Sequence, residues 1–530
     1  MRDVDKWQPE DESFWHSSSE KIANRNLWIS IGSLFCSFAI WMYWGVITVQ
    51  MINLGFNFTQ YDLFSLIAIA GLTGATLRIP NSFFIHFCGG RYTLFFSTAL
   101  LIFPSIGVGI ALQDKSTPLW VFQLMALLSG IGGGNFASSM SNISCFFPKH
   151  KRGLALGLNV GLGNFGISAM QILIPLIMTR AVFNNEARQL VEPSATLITK
   201  VPIGSDVYIQ NSGFIWLLFL VPLLVLSWFS ATNIRTKSIS PYLGGPFNAF
   251  KLIFIMLSIG LVCAGAGLWL FLPVTSNGSG FQAPKEVVLI LVIFTTLFCL
   301  KRFSKDIRKQ YQFFKNKHIW AMSVIYVMTF GSFIGFAAIF ALAIKLIFGY
   351  QHIVIAGEMT HNMINQNAPS ALMYAWMGAF IGALTRPLGG WLGDRFGGAT
   401  VTQACCIIMV FSALGVSYYM NLAFKSATPE VFFIKFFTLF LVLFAATGVA
   451  NGSTFKTISV LFPSQQMSFA IGWTSAIAAY GAFYIPCVFA EKLNTATPGD
   501  AFINFVVFYN VCLFINWWFY LRKESDSYNP

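Results

Sequence analysis

Two arginines with no acid to answer them are the first residues in this sequence that could do chemistry. Arg78 and Arg386 each stand inside a long apolar run. An arginine deep in a membrane helix costs about 2.5–3.5 kcal/mol or more, so such residues are retained mainly for function. The two occupy matching places in a repeat: at an offset of 308, Gly74-Ala75-Thr76-Leu77-Arg78 aligns with Gly382-Ala383-Leu384-Thr385-Arg386, and Gly89-Gly90 falls on Gly397-Gly398. None of the 20 Asp and Glu lies inside a candidate span, since Asp62, Glu286, Glu430 and Glu491 sit at span ends and the rest in loops or tails. Two guanidinium forks converging without an internal counter-charge offer planar donor arrays suited to a planar oxyanion, which would then supply the missing negative charge.

Other polar groups in apolar surroundings are few. Lys456 lies within a span, seven residues before Pro463; it is a candidate for coupling if it faces a pathway, and snorkelling to the interface is equally open to it. Gly130-Ile-Gly132-Gly133-Gly134-Asn135-Phe136 and the run from Gly153 to Gly166, with Gly157, Asn159, Gly161, Gly163 and Asn164, occur in mid-span, where small residues let helices approach closely. Gly133, Gly134, Gly161, Gly163 and Gly166 are therefore candidates for conformational positions. Asn159 and Asn164 need partners, because an amide in hydrocarbon is costly when unbonded. The six histidines fall in loops or near span ends, so no proton relay is visible, and the nine cysteines show no metal-ligand spacing. No metal, cofactor or catalytic dyad is expected.

These side chains must be held by membrane-spanning helices. Of 530 residues 56% are hydrophobic and only 10% charged, against roughly 25% charged in an average soluble domain. A soluble enzyme is excluded by that composition. Runs long enough to cross a bilayer appear near 27–51, 61–86, 92–113, 118–147, 153–179, 213–231, 250–274, 287–300, 319–345, 369–393, 400–423, 431–462, 467–491 and 502–521. The predicted fold is all-α with 14 spans: a cytoplasmic arm (1–26), a six-helix half (27–231), an inserted helix pair (250–300), a basic linker (301–318), a second six-helix half (319–521) and a short tail (522–530). The net charge of +13 is mainly topological, since 21 basic residues fall on the face that holds both termini and eight on the other. That asymmetry puts both termini in the cytoplasm and leaves little reason to invoke nucleic acid.

Between the second and third spans of the second half stands Gly390-Trp-Leu-Gly-Asp394-Arg395-Phe-Gly397-Gly398. It resembles the Gly-x-x-x-Asp-Arg-x-Gly loop of the major facilitator superfamily, in which acid and base form a gating charge relay. The copy in the first half has His86 where Asp394 stands. The stretches Gly133-Gly134-Asn135-Phe136, Leu-Gly-Leu-Asn159-x-Gly-Leu-Gly-Asn164, Thr329-Phe330-Gly-Ser-Phe-Ile-Gly-Phe336 and Gly452-Ser453-Thr454-Phe455 resemble the signatures of the NarK-type nitrate/nitrite porters of that superfamily. The resemblance implies that Arg78 and Arg386 clamp nitrate or nitrite, that Phe136 and Phe330 sandwich the planar anion, and that Tyr326, Asn159 and Asn164 lie nearby. It also implies rocker-switch alternating access with the glycine-rich helices bending.

The sequence departs from the family pattern in the inserted pair and at Lys456, where an uncharged Gln is expected in the exchangers. The resulting expectation is a carrier of the bacterial cytoplasmic membrane, not an enzyme, acting as a monomer in the lipid bilayer and exchanging nitrate for nitrite. Nitrate/proton symport is the alternative, and a non-transporting nitrate sensor is the reading from another class.

Overall fold

In hydrocarbon the backbone must close its own hydrogen bonds, so apolar runs of this length become helices. The computed structural model describes residues 3–4, 7–183, 186–234, 245–303, 311–355, 358–462 and 464–530. In chain order the helices are α1 (Glu20–Asn53), α2 (Gln60–Cys88), α3 (Gly90–Ala111), α4 (Leu119–Phe146), α5 (Lys149–Ile177), α6 (Asn211–Ser230), α7 (Gly245–Phe271), α8 (Lys285–Phe303), α9 (Lys317–Phe348), α10 (Ala371–Leu384, resuming as Arg386–Phe396), α11 (Gly398–Ala423), α12 (Pro429–Leu461), α13 (Ser464–Ala479, resuming as Gly481–Asn494) and α14 (Asp500–Leu521). Among the described residues twelve helices are long and apolar enough to cross a membrane. Helices stand at the other two expected places, but α8 is only 19 residues with charges at both ends, and α10 breaks at Thr385 and carries Arg386, Asp394 and Arg395. Residues 304–310 of the basic linker, with Arg235 and Lys237, lie outside the described residues.

The repeat is visible in the backbone. Gly89 closes α2 at φ 76° and Gly397 closes α10 at φ 88°, left-handed values that favour glycine. The next glycines make the same crossing: a Cβ on Gly90 would lie 2.0 Å from Asn142 Oδ1 of α4, and one on Gly398 would lie 2.3 Å from Thr457 Oγ1 of α12. Asn142 and Thr457 are themselves 315 positions apart, the offset that relates Phe147-Pro148 to Phe462-Pro463. α2 thus packs on α4 as α10 packs on α12.

Two helix pairs carry much of the seam between the halves. α2 lies along α13, where Thr76 Oγ1 meets Tyr480 Oη at 3.1 Å and Phe64 and Phe83 pack on Phe489 and Phe469. α5 meets α10 through Phe165 and Phe380, 5.4 Å between centroids. Toward the more basic face, however, a Cβ on Gly153, Gly157 or Gly161 of α5, or on Gly390 of α10, would touch nothing within 4 Å. The opposite face, called outer below, is tied shut. Lys345 Nζ pairs with Glu192 Oε2 at 2.6 Å, the Tyr350 hydroxyl donates to the same carboxylate at 3.0 Å, and both backbone N–H groups of Val191 and Glu192 donate to Asn53 O.

The inserted pair α7–α8 lies against α2, with Gly260 set close to Leu77. Its outer turn reaches both halves: Ser276 Oγ donates to Asp62 Oδ1 at 2.7 Å, while Lys285 pairs with Glu491 at 2.8 Å and the Tyr484 hydroxyl donates to Glu286 at 3.0 Å.

An outer β-hairpin, β1 (Tyr350–Ile355) and β2 (Glu358–Ile364), carries a histidine pair. His352 Nε2 donates to Ile347 O at 2.7 Å, which leaves its Nδ1 to accept from His361 Nδ1, also 2.7 Å away. Burial against Phe424 pushes His352 down to about 4. The closed hairpin therefore excludes a proton that the opened one accepts below about 6.5, and its stability, full above that pH, is lost as pH falls toward 4. Hydrogen exchange across 350–364, corrected for intrinsic rates, is expected to be faster at pH 5 than at pH 7.5, and His352→Gln should flatten that dependence.

Candidate functional site

Arg78 sits on α2 and Arg386 opens the second segment of α10, and both are buried, at 0% and 5% exposure. Neither has a carboxylate partner among the described residues, where the ion pairs lie at the helix ends and loops. The two side chains rest on matching aromatic pairs. The Arg78 guanidinium carbon lies 5.2 Å from the Trp41 centroid and 6.0 Å from that of Phe38, both on α1. That of Arg386 lies 4.4 Å from Phe333 and 5.5 Å from Phe330, both on α9. Arg78 also reaches across the seam to Phe330, 4.9 Å away. One ring thus touches both arginines, and their guanidinium carbons are separated by at most the sum of those two distances, about 10 Å.

The two guanidiniums are not equivalent. Arg78 Nε donates to Gly133 O at 2.9 Å and Nη1 to Ser475 O of α13 at 3.0 Å, leaving Nη2 without a partner. Among the described residues Arg386 has no hydrogen bond on Nε, Nη1 or Nη2. An unpaired buried donor costs about 1–3 kcal/mol, more when charged, so this is a concentrated debt of hydrogen bonding at one place. Arg78 is a fixed post with one free edge; Arg386 is a whole unclaimed fork.

Phe136 and Phe330 face each other at 6.1 Å and 22°, and Tyr326 stacks on Phe330 at 5.5 Å and 14°. A planar anion between two rings needs about 3.5 Å on each side, so Phe136 and Phe330 would have to part by about 1 Å. The Tyr326 hydroxyl is buried and makes no hydrogen bond of regular geometry among the described residues, close to the Asn451 amide and within electrostatic reach of both arginines. Its ring packs edge-on against Phe455 of α12.

The remaining expected residues fall into other contacts. Asn159 Nδ2 donates to Ser139 Oγ at 2.8 Å, with Met140 Sδ 3.6 Å away, and Asn164 Nδ2 donates to Val160 O of its own helix at 2.7 Å; both carbonyl ends are buried and unbonded. Gly133 and Gly134 are held tightly, against Trp41 and Gly74 and against Asn81 and Leu77, and Gly163 and Gly166 abut Leu34 and Phe35, whereas Gly161 is open. Asp394 pairs with Lys456 Nζ at 2.6 Å, so the acid of the expected relay is joined to the lysine of α12. The guanidinium of Arg395 lies over Trp391 and Phe396.

Sequence reasoning passed over Trp41, Phe38, Phe333 and Ser475, which shape the arginine surroundings, and Asn451, buried with neither amide atom in a hydrogen bond of regular geometry. The aromatic pairs had a signal: each is spaced three residues apart in the first helix of its half. Ser475 had none, since it acts through its backbone carbonyl.

Comparison with known proteins adds to this geometry. Residues 29–184 match the Major Facilitator Superfamily. The chain is 34% identical to the Nitrate/nitrite transporter NarU of Escherichia coli, over 98% of this chain and 96% of that protein. It is 33% identical to the Probable nitrate/nitrite antiporter NarK2 of Thermus thermophilus, over 99% and 98%. In fold it is similar to the xylose transporter XylE from E. coli in a partially occluded inward-open conformation, with TM-score 0.56 at 13% identity, covering 95% of this chain and 99% of that one.

Proposed function

Because the chain belongs to the NarK-type nitrate/nitrite porter family of the major facilitator superfamily, we propose that it carries nitrate and nitrite across the bacterial cytoplasmic membrane, exchanging one for the other by alternating access. The observation that supports this best is the set of unbonded donor nitrogens: three on Arg386 and one on Arg78, buried around a single phenylalanine at the seam. A planar oxyanion meets that demand in shape, in sign of charge and in number of acceptors. Offsetting part of the charge of two buried cations only when loaded also explains exchange, because the empty carrier would have to reorient with both charges uncompensated.

In this reading both termini, the Asp394–Lys456 pair and the parted ends of α5 and α10 are cytoplasmic, and α8 and α10 cross the bilayer with the other twelve helices. The carrier is then open inward, with Glu192 and Lys345 closing the outer end. Exchange is favoured over proton symport by the surroundings of the titratable groups. Lys456 is engaged by Asp394, and His352 and His361 bond each other on the outer hairpin.

Purified protein in proteoliposomes tests this reading. Vesicles loaded with nitrite are expected to accumulate labelled nitrate many-fold over unloaded vesicles with no pH gradient. Uptake that ignores internal nitrite and needs an inward proton gradient would replace exchange by symport.

A further inference from the structure

Asn451 lies on α12 with 0% of its surface exposed, and among the described residues neither Nδ2 nor Oδ1 makes a hydrogen bond of regular geometry, although the amide approaches the Tyr326 hydroxyl closely. The other buried asparagines with an unbonded atom, such as Asn53, Asn135, Asn159, Asn164 and Asn211, each donate through Nδ2. An amide without a regular hydrogen bond in a membrane interior is costly, so its position matters. At the 315 offset of the repeat, Asn451 stands where Phe136 stands in the first half. Phe136 lies 4.6 Å from the Arg78 guanidinium. Asn451 therefore holds the equivalent place toward Arg386, whose backbone carbonyl would lie 2.1 Å from a Cβ on the adjacent Gly452. The amide also lies beside the Tyr326 hydroxyl, which itself makes no regular hydrogen bond among the described residues.

Nitrate and nitrite differ in one feature that an amide can read. Nitrate presents three equivalent oxygens at the corners of a triangle, whereas nitrite presents two oxygens and a nitrogen lone pair in a bent frame. The free fork of Arg386 and the free edge of Arg78 suffice for two oxygens. Resting on the transport reading above, we propose that Asn451 contacts the anion directly, its Nδ2 donating to the third oxygen of nitrate while its Oδ1 accepts from Tyr326, and that it thereby sets the preference for nitrate over nitrite.

The test is displacement of labelled nitrate from the purified full-length carrier by unlabelled nitrate and by nitrite. It is run on the unsubstituted protein, on Asn451→Ala and on the size-matched Asn451→Leu, with thermal stability measured for each. Loss of one hydrogen bond to a charged group corresponds to about tenfold or more. Nitrate affinity is expected to fall by that factor in both variants while nitrite affinity changes much less, so that the preference shrinks or inverts. Equal weakening of the two anions, or an unchanged preference in variants that remain folded, would overturn this role for Asn451 and leave the transport reading standing. Failure of the unsubstituted carrier to bind either anion would overturn both.

Discussion

Replacing Arg386 by lysine is expected to remove measurable nitrate binding while leaving the fold intact. Lysine keeps the charge but presents a point-like ammonium on a flexible stem, and cannot give the two parallel N–H bonds of a guanidinium. Bonds to charged groups contribute about 1.5–3 kcal/mol each, so losing a two-bond contact weakens binding by ~3 kcal/mol or more, roughly a hundredfold. The structural cost is small for a specific reason: among the described residues no hydrogen-bonding group depends on Arg386, whose three nitrogens are unbonded, and a lysine can still lie over Phe333. Arg386→Leu sharpens the point. It removes a buried cation with no partner, so thermal stability in the absence of anion should hold or rise even as binding disappears. Arg78→Leu should behave differently, because it removes the two hydrogen bonds that tie α2 to the carbonyls of Gly133 on α4 and Ser475 on α13. Isothermal titration with nitrate and thermal melts of the three variants check both halves of the argument. Near-normal affinity in Arg386→Lys would refute the clamp.

What the sequence made legible, and what it did not, follows from how far a signal must travel along the chain. Arg78 and Arg386 stood out because an arginine in an apolar run is costly wherever its partners lie. Gly89 and Gly397 could be matched by spacing alone, and each closes its helix at positive φ. The inequality of the arginines was invisible, since it depends on a carbonyl of Ser475, 397 residues from Arg78. Asp394 and Lys456 were both noticed, yet their pairing depends on the crossing of α10 and α12, which no local pattern encodes. The same holds for Glu192 and Lys345, which come from opposite halves. Asn451 was hidden by its neighbours, because one amide beside Gly452 and Ser453 reads as ordinary small-residue packing. Its meaning appears only when both of its polar atoms are found without a regular hydrogen bond.

That crossing carries the second large expectation: Gly452→Ala should abolish transport, although it adds a single methyl group. A Cβ at Gly452 would lie 2.1 Å from Arg386 O and 2.8 Å from Gly390 N, so backbone must move. Overpacking of this kind costs about 1–3 kcal/mol when side chains can give way, and here the obstacle is the main chain of the segment that begins with Arg386. The helices can separate only by carrying the guanidinium away from Phe330 and Phe333, and a misplacement of about 1 Å is enough to cost a bound geometry most of its hydrogen bonding. Gly390→Ala is the control on the same crossing, for its Cβ would meet nothing within 4 Å. Exchange rates and nitrate affinity should therefore collapse together in Gly452→Ala, while nitrate affinity stays near normal in Gly390→Ala. If both variants bind nitrate alike, the close approach of α10 and α12 is not what holds Arg386 in place.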